Sequence, residues 1–404
     1  MTPCLRWKRR PASPILWMHP AHCLSLALML LAPLLAMDNP IRKVDPSRRA
    51  ELREALHGVA VPHRGMSPRH LAPPKGGITA DSSRDAGPRQ TGSSTQYVLK
   101  GETGLPTNTP TLVLVVGAAG TPDYATNFQH QAALWTAAAD KARARLIPIG
   151  TDPAPNGTDL ERLRQTLTSE TTNGVAPLWI VMIGHGTFDG KEARHNLRGP
   201  DLTATDLADW LKPCPRPLIV VNTTSASAPF LARLSATNRV VLTATRSGHE
   251  HNFARLGDFL AEAILAPESD LDQDGQTSLL EAFLTASHRV AEWYNTEGRL
   301  ATEHALIDDN GDGRGTPFEW FRGVRAIKQA HSGAAVDGAR AHQIHLVPSP
   351  RESSLTPESR ARRDALELEL FRLRDAKSKL NEDDYYRQLE VLLLELARLQ
   401  AATP

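Results

Sequence analysis

The run Leu178–Phe188, LWIVMIGHGTF, constrains this chain more than any other stretch. Six apolar residues lead without a charge into Gly184-His185-Gly186. A short, continuous apolar block has no polar face to offer water. It therefore predicts a strand buried on both faces, most simply in a parallel sheet. The glycines beside His185 allow a sharp turn and a close approach of backbone at the strand's C-terminal end. Open α/β sheets build their sites along that edge.

Similar apolar blocks recur at Leu112–Val116, Leu146–Ile149, Leu218–Val221 and Arg239–Thr243. Between and after them, helical spacing covers Phe128–Arg143, Asp159–Ser169, Leu202–Leu211, Ala228–Ser235 and Phe253–Ile264, with Thr158 or Asp159 and Thr203 or Thr205 as candidate caps. This alternation predicts an α/β domain whose parallel sheet carries helices on both faces. Gly117-Ala118-Ala119-Gly120 follows the first strand and invites a phosphate-loop reading, but the GxGxxG and GxxxxGK[ST] patterns that would support it do not follow. The 46 basic and 45 acidic side chains leave a net charge of +1, which gives no electrostatic footprint for nucleic acid.

The strand Leu218–Val221 runs into Asn222-Thr223-Thr224-Ser225-Ala226-Ser227. A right-handed connection sets this end beside His185. An apolar block ending in His-Gly, followed by a second ending in a nucleophile, resembles the caspase-like cysteine peptidases, among them legumain-type enzymes, metacaspases and gingipains. The resemblance spans about Leu112 to Ile264 and implies a caspase-like α/β fold. It also implies His185 as base, the Gly186 backbone N–H as oxyanion donor and Thr224 at the nucleophile position. Leu242–Arg246 is similar to the stretch lining the substrate side-chain pocket, where Arg246 or Glu250 would sort ligand charge.

The departure from the family lies at the nucleophile. Its Ala-Cys falls on Thr223-Thr224, and Cys214 precedes the strand, at the wrong end to meet His185. A thiol of pKa about 8.5 ionises readily with help from a histidine. An alcohol must lose its proton during attack and needs a better-aligned base. The expectation is a catalytically inactive homologue that binds a peptide or protein ligand. The alternative is a hydrolase using Thr224, Thr223, Ser225 or Ser227 with His185.

Downstream, Asp270, Asp272, Asp274, Gly275, Gln276, Ser278 and Glu281 fill D-x-D-x-D-G-x5-E. Three side chains, the carbonyl of Gln276, Ser278 directly or through water, and a bidentate Glu281 would surround one hard cation, with Gly275 making the turn. With a helix on either side, this resembles an EF-hand, and the expected cofactor is Ca2+. A second loop offers Asp308, Asn310, Asp312 and Glu319 at matching spacing, but Gly315 and Pro317 oppose an exiting helix.

Residues 1–36 pair a basic start with the apolar run Cys23–Ala36, predicting a signal peptide or membrane anchor, and hence an exported protein, periplasmic or secreted. Residues 37–96 read as linker with one short helix near Arg48–His57. The α/β domain is assigned to 97–330, with the EF-hand region at 265–320, and 331–357 is a linker. Leucines at 366, 370, 373 and 380, then 389, 393 and 396, predict a helical hairpin over 358–400. That hairpin is a candidate for homodimerisation or for binding a partner helix.

Overall fold

A computed structural model describes residues 109–152, 157–172, 174–329 and 335–401. The expected export segment and the helix near Arg48–His57 lie outside the described residues.

Strand β1 (Thr111–Val116) pairs in parallel with β2 (Arg145–Ile149) and β3 (Leu178–Ile183). Parallel pairing continues from β3 to β7 (Leu218–Asn222) and β8 (Arg239–Thr243). The expected parallel sheet is therefore present, and it is longer than expected. Strands β9 (Leu306–Asp308) and β10 (Thr316–Pro317) add an antiparallel edge, giving the seven-stranded order β10-β9-β8-β7-β3-β1-β2. A second, three-stranded sheet of β4 (Gly186–Phe188), β5 (Ala193–His195) and β6 (Leu202–Thr203) stands above the end of β3.

Side chains alternate across a strand, so a strand buried on both faces feeds two cores. Trp179, Val181 and Ile183 enter one, with Phe128 and Trp135 of α1 (Pro122–Ala142), α5 (Leu256–Leu265) and α6 (Leu279–Thr296). Leu178, Ile180 and Met182 enter the other, with α2 (Asp159–Glu170), α3 (Ala204–Leu211) and α4 (Ala228–Leu234). Thr158 closes a capping box with Glu161 at the start of α2. Helix α1 begins at Pro122, earlier than its apolar spacing indicated. Proline suits a first turn, and Thr121 supplies the cap.

The segment expected to be a plain linker contains two short helices, α7 (Ala339–His342) and α8 (Pro350–Ser354). It leads to the predicted hairpin of α9 (Pro357–Asp375) and α10 (Glu382–Ala401), in which Leu366, Leu370 and Leu373 share a core with Tyr385, Leu389 and Leu396. Asn381 caps α10 by accepting the Asp384 N–H at 2.8 Å.

At the opposite edge of the sheet from the site, buried Arg216 donates to the Ala176 carbonyl at 2.6 Å and pairs with Glu170 at 3.3 Å. Truncating it leaves Glu170 with less compensation in a dry setting. Arg216→Ala is expected to cost about 3–5 kcal/mol in urea unfolding; a loss near zero would contradict this role.

Candidate functional site

The ends of β3 and β7 lie side by side, with Met182 opposite Asn222. Above them, His185 is half-buried among aromatic rings: Tyr124 at 4.5 Å and Phe128 at 5.2 Å from α1, and Phe253 at 6.3 Å. Its Nε2 lies 3.2 Å from the Ala119 carbonyl. A carbonyl only accepts, so this contact places the ring proton on Nε2 and leaves Nδ1 as the basic nitrogen.

The hydroxyl row faces inward. Thr224 is fully buried, and its Oγ1 lies 2.7 Å from Asn222 Oδ1 and 3.1 Å from the Ser225 carbonyl. Both are acceptors, so the hydroxyl proton points to them, and no hydrogen bond described joins Thr224 to His185. Thr223 donates to the Met182 carbonyl at 2.9 Å, and Ser227 lies 3.2 Å from Thr245 Oγ1. Ser225 makes a reciprocal pair with Gly186: the Gly186 N–H donates to Ser225 Oγ, and Ser225 Oγ donates to the Gly186 carbonyl, each at 3.1 Å. The Thr224 N–H donates to Asn222 Oδ1 at 3.0 Å. Only glycine fits at position 186, because a Cβ there would lie 2.1 Å from the Ser225 carbonyl oxygen.

Both backbone donors at this strand end are thus already hydrogen-bonded within the chain. A negative oxygen placed here would have to displace Ser225 Oγ or Asn222 Oδ1 to reach them. Nearby, Glu250 accepts from the Arg246 N–H at 3.0 Å and sits 2.7 Å from His304 Nδ1, while the Arg246 side chain stays largely exposed. His195, which the sequence did not single out, is buried beneath the site with its Nε2 3.1 Å from the Ile183 carbonyl. Burial holds its pKa down to about 4, so it stays neutral at ordinary pH.

Glu303 secures the start of α5. Its carboxylate accepts the N–H groups of Arg255 at 2.8 Å and Leu256 at 3.1 Å. Burial pushes its pKa up to about 7 despite these bonds. A raised carboxylate pKa favours the folded state below the unfolded value, and that contribution is lost as pH rises through about 7. The stability of the wild type relative to Glu303→Gln is therefore expected to fall between about pH 4.5 and 7. Parallel urea titrations of the two proteins measure it, and a difference that is flat or rises with pH would refute the assignment.

In the first acidic loop, α5, a single 3-10 turn at Pro267–Ser269 and α6 make a helix–loop–helix. Gly275 turns the chain at φ 90°. Asp270, Asp272 and Asp274 each offer an oxygen within 4.8 Å of the others. Ser278 caps α6 and forms a capping box with Glu281, whose Oε1 also accepts the Leu271 N–H at 2.8 Å. Gln276 turns its side chain to Asp274 and to the Ser349 N–H. Burial, then the charge of Asp272, pushes Asp274 up to about 7, and the same causes raise Glu281.

The second loop is built differently. Asp308 accepts the N–H groups of Gly311 at 2.9 Å and Gly313 at 3.0 Å, Asn310 accepts from Asp312, and Asp312 accepts from Arg314. The chain then enters β10 instead of a helix, as Pro317 favours, and Glu319 is exposed. Among the described residues, the carboxylate and imidazole groups that converge as a cation site belong to the first loop and to His342.

No family model and no curated protein sequence matches the chain. Among solved structures, the Drosophila initiator caspase Dronc aligns at 12% identity and a TM-score of 0.35, covering 61% of this chain and 96% of that one. Caspase-1 from Spodoptera frugiperda aligns at 9% identity and 0.34, covering 56% and 92%. Chaetomium thermophilum Raptor aligns at 12% and 0.29, covering 74% of this chain and 26% of that one.

Proposed function

We propose that this chain is an exported, caspase-like protein without peptidase activity, which binds Ca2+ through Asp270–Glu281 and uses its strand-end face to bind a peptide or protein segment. One observation carries the loss of activity. The groups that acyl transfer would require at this edge (the Gly186 and Thr224 N–H donors and the Thr224 and Ser225 hydroxyls) are hydrogen-bonded to one another or to Asn222. An attacking alcohol needs its proton directed to a base, and a tetrahedral intermediate needs open donors.

Calcium supplies what the acidic loop otherwise lacks. Burial, and after it the neighbouring charge of Asp272, disfavours the charged form of Asp274. A divalent ion offsets that charge and draws on oxygen ligands from a loop of this form. The α9–α10 hairpin already buries its leucines against itself, so it suits a docked arm for a partner better than a bare dimer seam.

Labelling with a hydroxyl-directed fluorophosphonate probe tests the inactive reading. No covalent adduct is expected on Thr223, Thr224, Ser225 or Ser227; an adduct on any of them that His185→Ala abolishes would defeat it.

A further inference from the structure

The short helix α7 brings a side chain to the acidic loop from well outside it. His342 lies 70 residues beyond Asp272, and its Nε2 is 3.0 Å from Asp272 Oδ2. Asp272, Glu281 and His342 each present a ligand atom within 4.8 Å of the other two. This group overlaps the oxygen cage but leaves out Asp270 and Asp274, so it is a separate geometric set.

His342 is held in place by bonds that do not involve the loop carboxylates. The buried carboxylate of Asp309 accepts the N–H groups of Gly338 at 3.0 Å and of Arg340 and Ala341 at 2.8 Å each, fixing the turn that carries the histidine. Beyond it, the Leu279 N–H donates to the Ile344 carbonyl at 2.8 Å, stitching the strap to the first turn of α6. A ligand fixed this way loses little freedom when it coordinates.

We propose that Asp272, Glu281 and His342 form a composite site for a borderline divalent metal of the zinc class. The proposal goes beyond the calcium reading, with which it shares two carboxylates, and stands on the convergence of the three side chains. The chemistry follows from the donor set. An imidazole nitrogen adds little for Ca2+, which prefers oxygen, but strongly favours Zn2+ or Co2+. Three protein ligands also leave a fourth position for water or an incoming group. Because Asp272 and Glu281 belong to both sets, Zn2+ and Ca2+ exclude one another. A bound zinc ion would pin the α7 strap, and through Gln343, which donates to the Asp364 carbonyl at 2.8 Å, the helical hairpin, to the α/β domain.

Calorimetric titration of the full chain with Zn2+ and, separately, Ca2+ tests this in the wild type, His342→Ala and Asp270→Ala, with far-UV circular dichroism as a folding control. His342→Ala is expected to weaken Zn2+ by more than about tenfold while sparing Ca2+, and Asp270→Ala to do the reverse. Zinc-edge X-ray absorption on wild type loaded below one equivalent gives a readout free of any variant, and one imidazole in the shell is expected. Zn2+ bound without Ca2+ would uphold the composite site and remove the calcium reading. Ca2+ bound without Zn2+, equal Zn2+ affinity in His342→Ala, or an all-oxygen zinc shell would each overturn the proposal.

Discussion

Calcium is expected to raise the melting temperature of the wild type, and Glu281→Gln to abolish that rise. Glu281 sits at the last position of the loop, where a bidentate carboxylate closes the cage, and a neutral amide cannot supply that charge. At calcium a hundredfold above its dissociation constant, linkage adds about 2.7 kcal/mol to the folded state, or roughly 5–10 °C in melting temperature. The same substitution keeps the capping box, since glutamine serves as well as glutamate three residues after Ser278. It also removes a buried carboxylate whose pKa burial has raised. Without calcium a modest loss is expected, because an amide nitrogen cannot accept the N–H groups that Glu281 Oε1 takes from Leu271 and Asp272. Scanning calorimetry with and without calcium separates the outcomes: an equal calcium shift in both proteins would remove Glu281 from the site, and a large loss in both conditions would point to a packing role.

Thr224→Cys alone is not expected to create a peptidase, although it restores the thiol that the caspase-like pattern calls for. The thiol would still stand beside a Gly186 N–H engaged by Ser225 Oγ and a backbone N–H engaged by Asn222 Oδ1. An oxyanion donor is worth about 10²–10³-fold in rate, so a thiol placed here with that donor engaged is held back by that factor. Adding Ser225→Ala to Thr224→Cys frees the Gly186 donor, and the double variant should turn over a fluorogenic peptide faster than the single one by about 10²-fold. Turnover by Thr224→Cys as fast as by the double variant would mean that Ser225 does not block the site.

The sheet was legible because its strands are buried on both sides. LVLVV and LWIVMI each feed two cores, so the sequence shows uninterrupted apolar blocks where a half-exposed strand would alternate. Local chemistry also marked the caps, Thr158 before α2 and Asn381 before α10. The antiparallel edge was hidden because β9 and β10 are short and β9 ends within the second acidic loop.

At the site, chain order placed His185 beside the threonines, but nothing local in Gly-His-Gly or Thr-Thr-Ser reveals that Ser225 and Gly186 bond reciprocally. That pairing depends on two loops meeting after the strands align. His342 was harder still. It lies in a stretch rich in histidine, serine and proline, and its partner Asp272 is far off in the chain, so only the docked strap reveals the contact.

We propose that the hydrogen bonds of the strand-end site close it to acyl transfer. Incubating the purified wild-type chain with a diverse peptide library, with and without calcium, and identifying new termini by mass spectrometry tests it most directly. No cleavage is expected in either condition. Cleavage by the wild type that is lost in both His185→Ala and Thr224→Ala would contradict it.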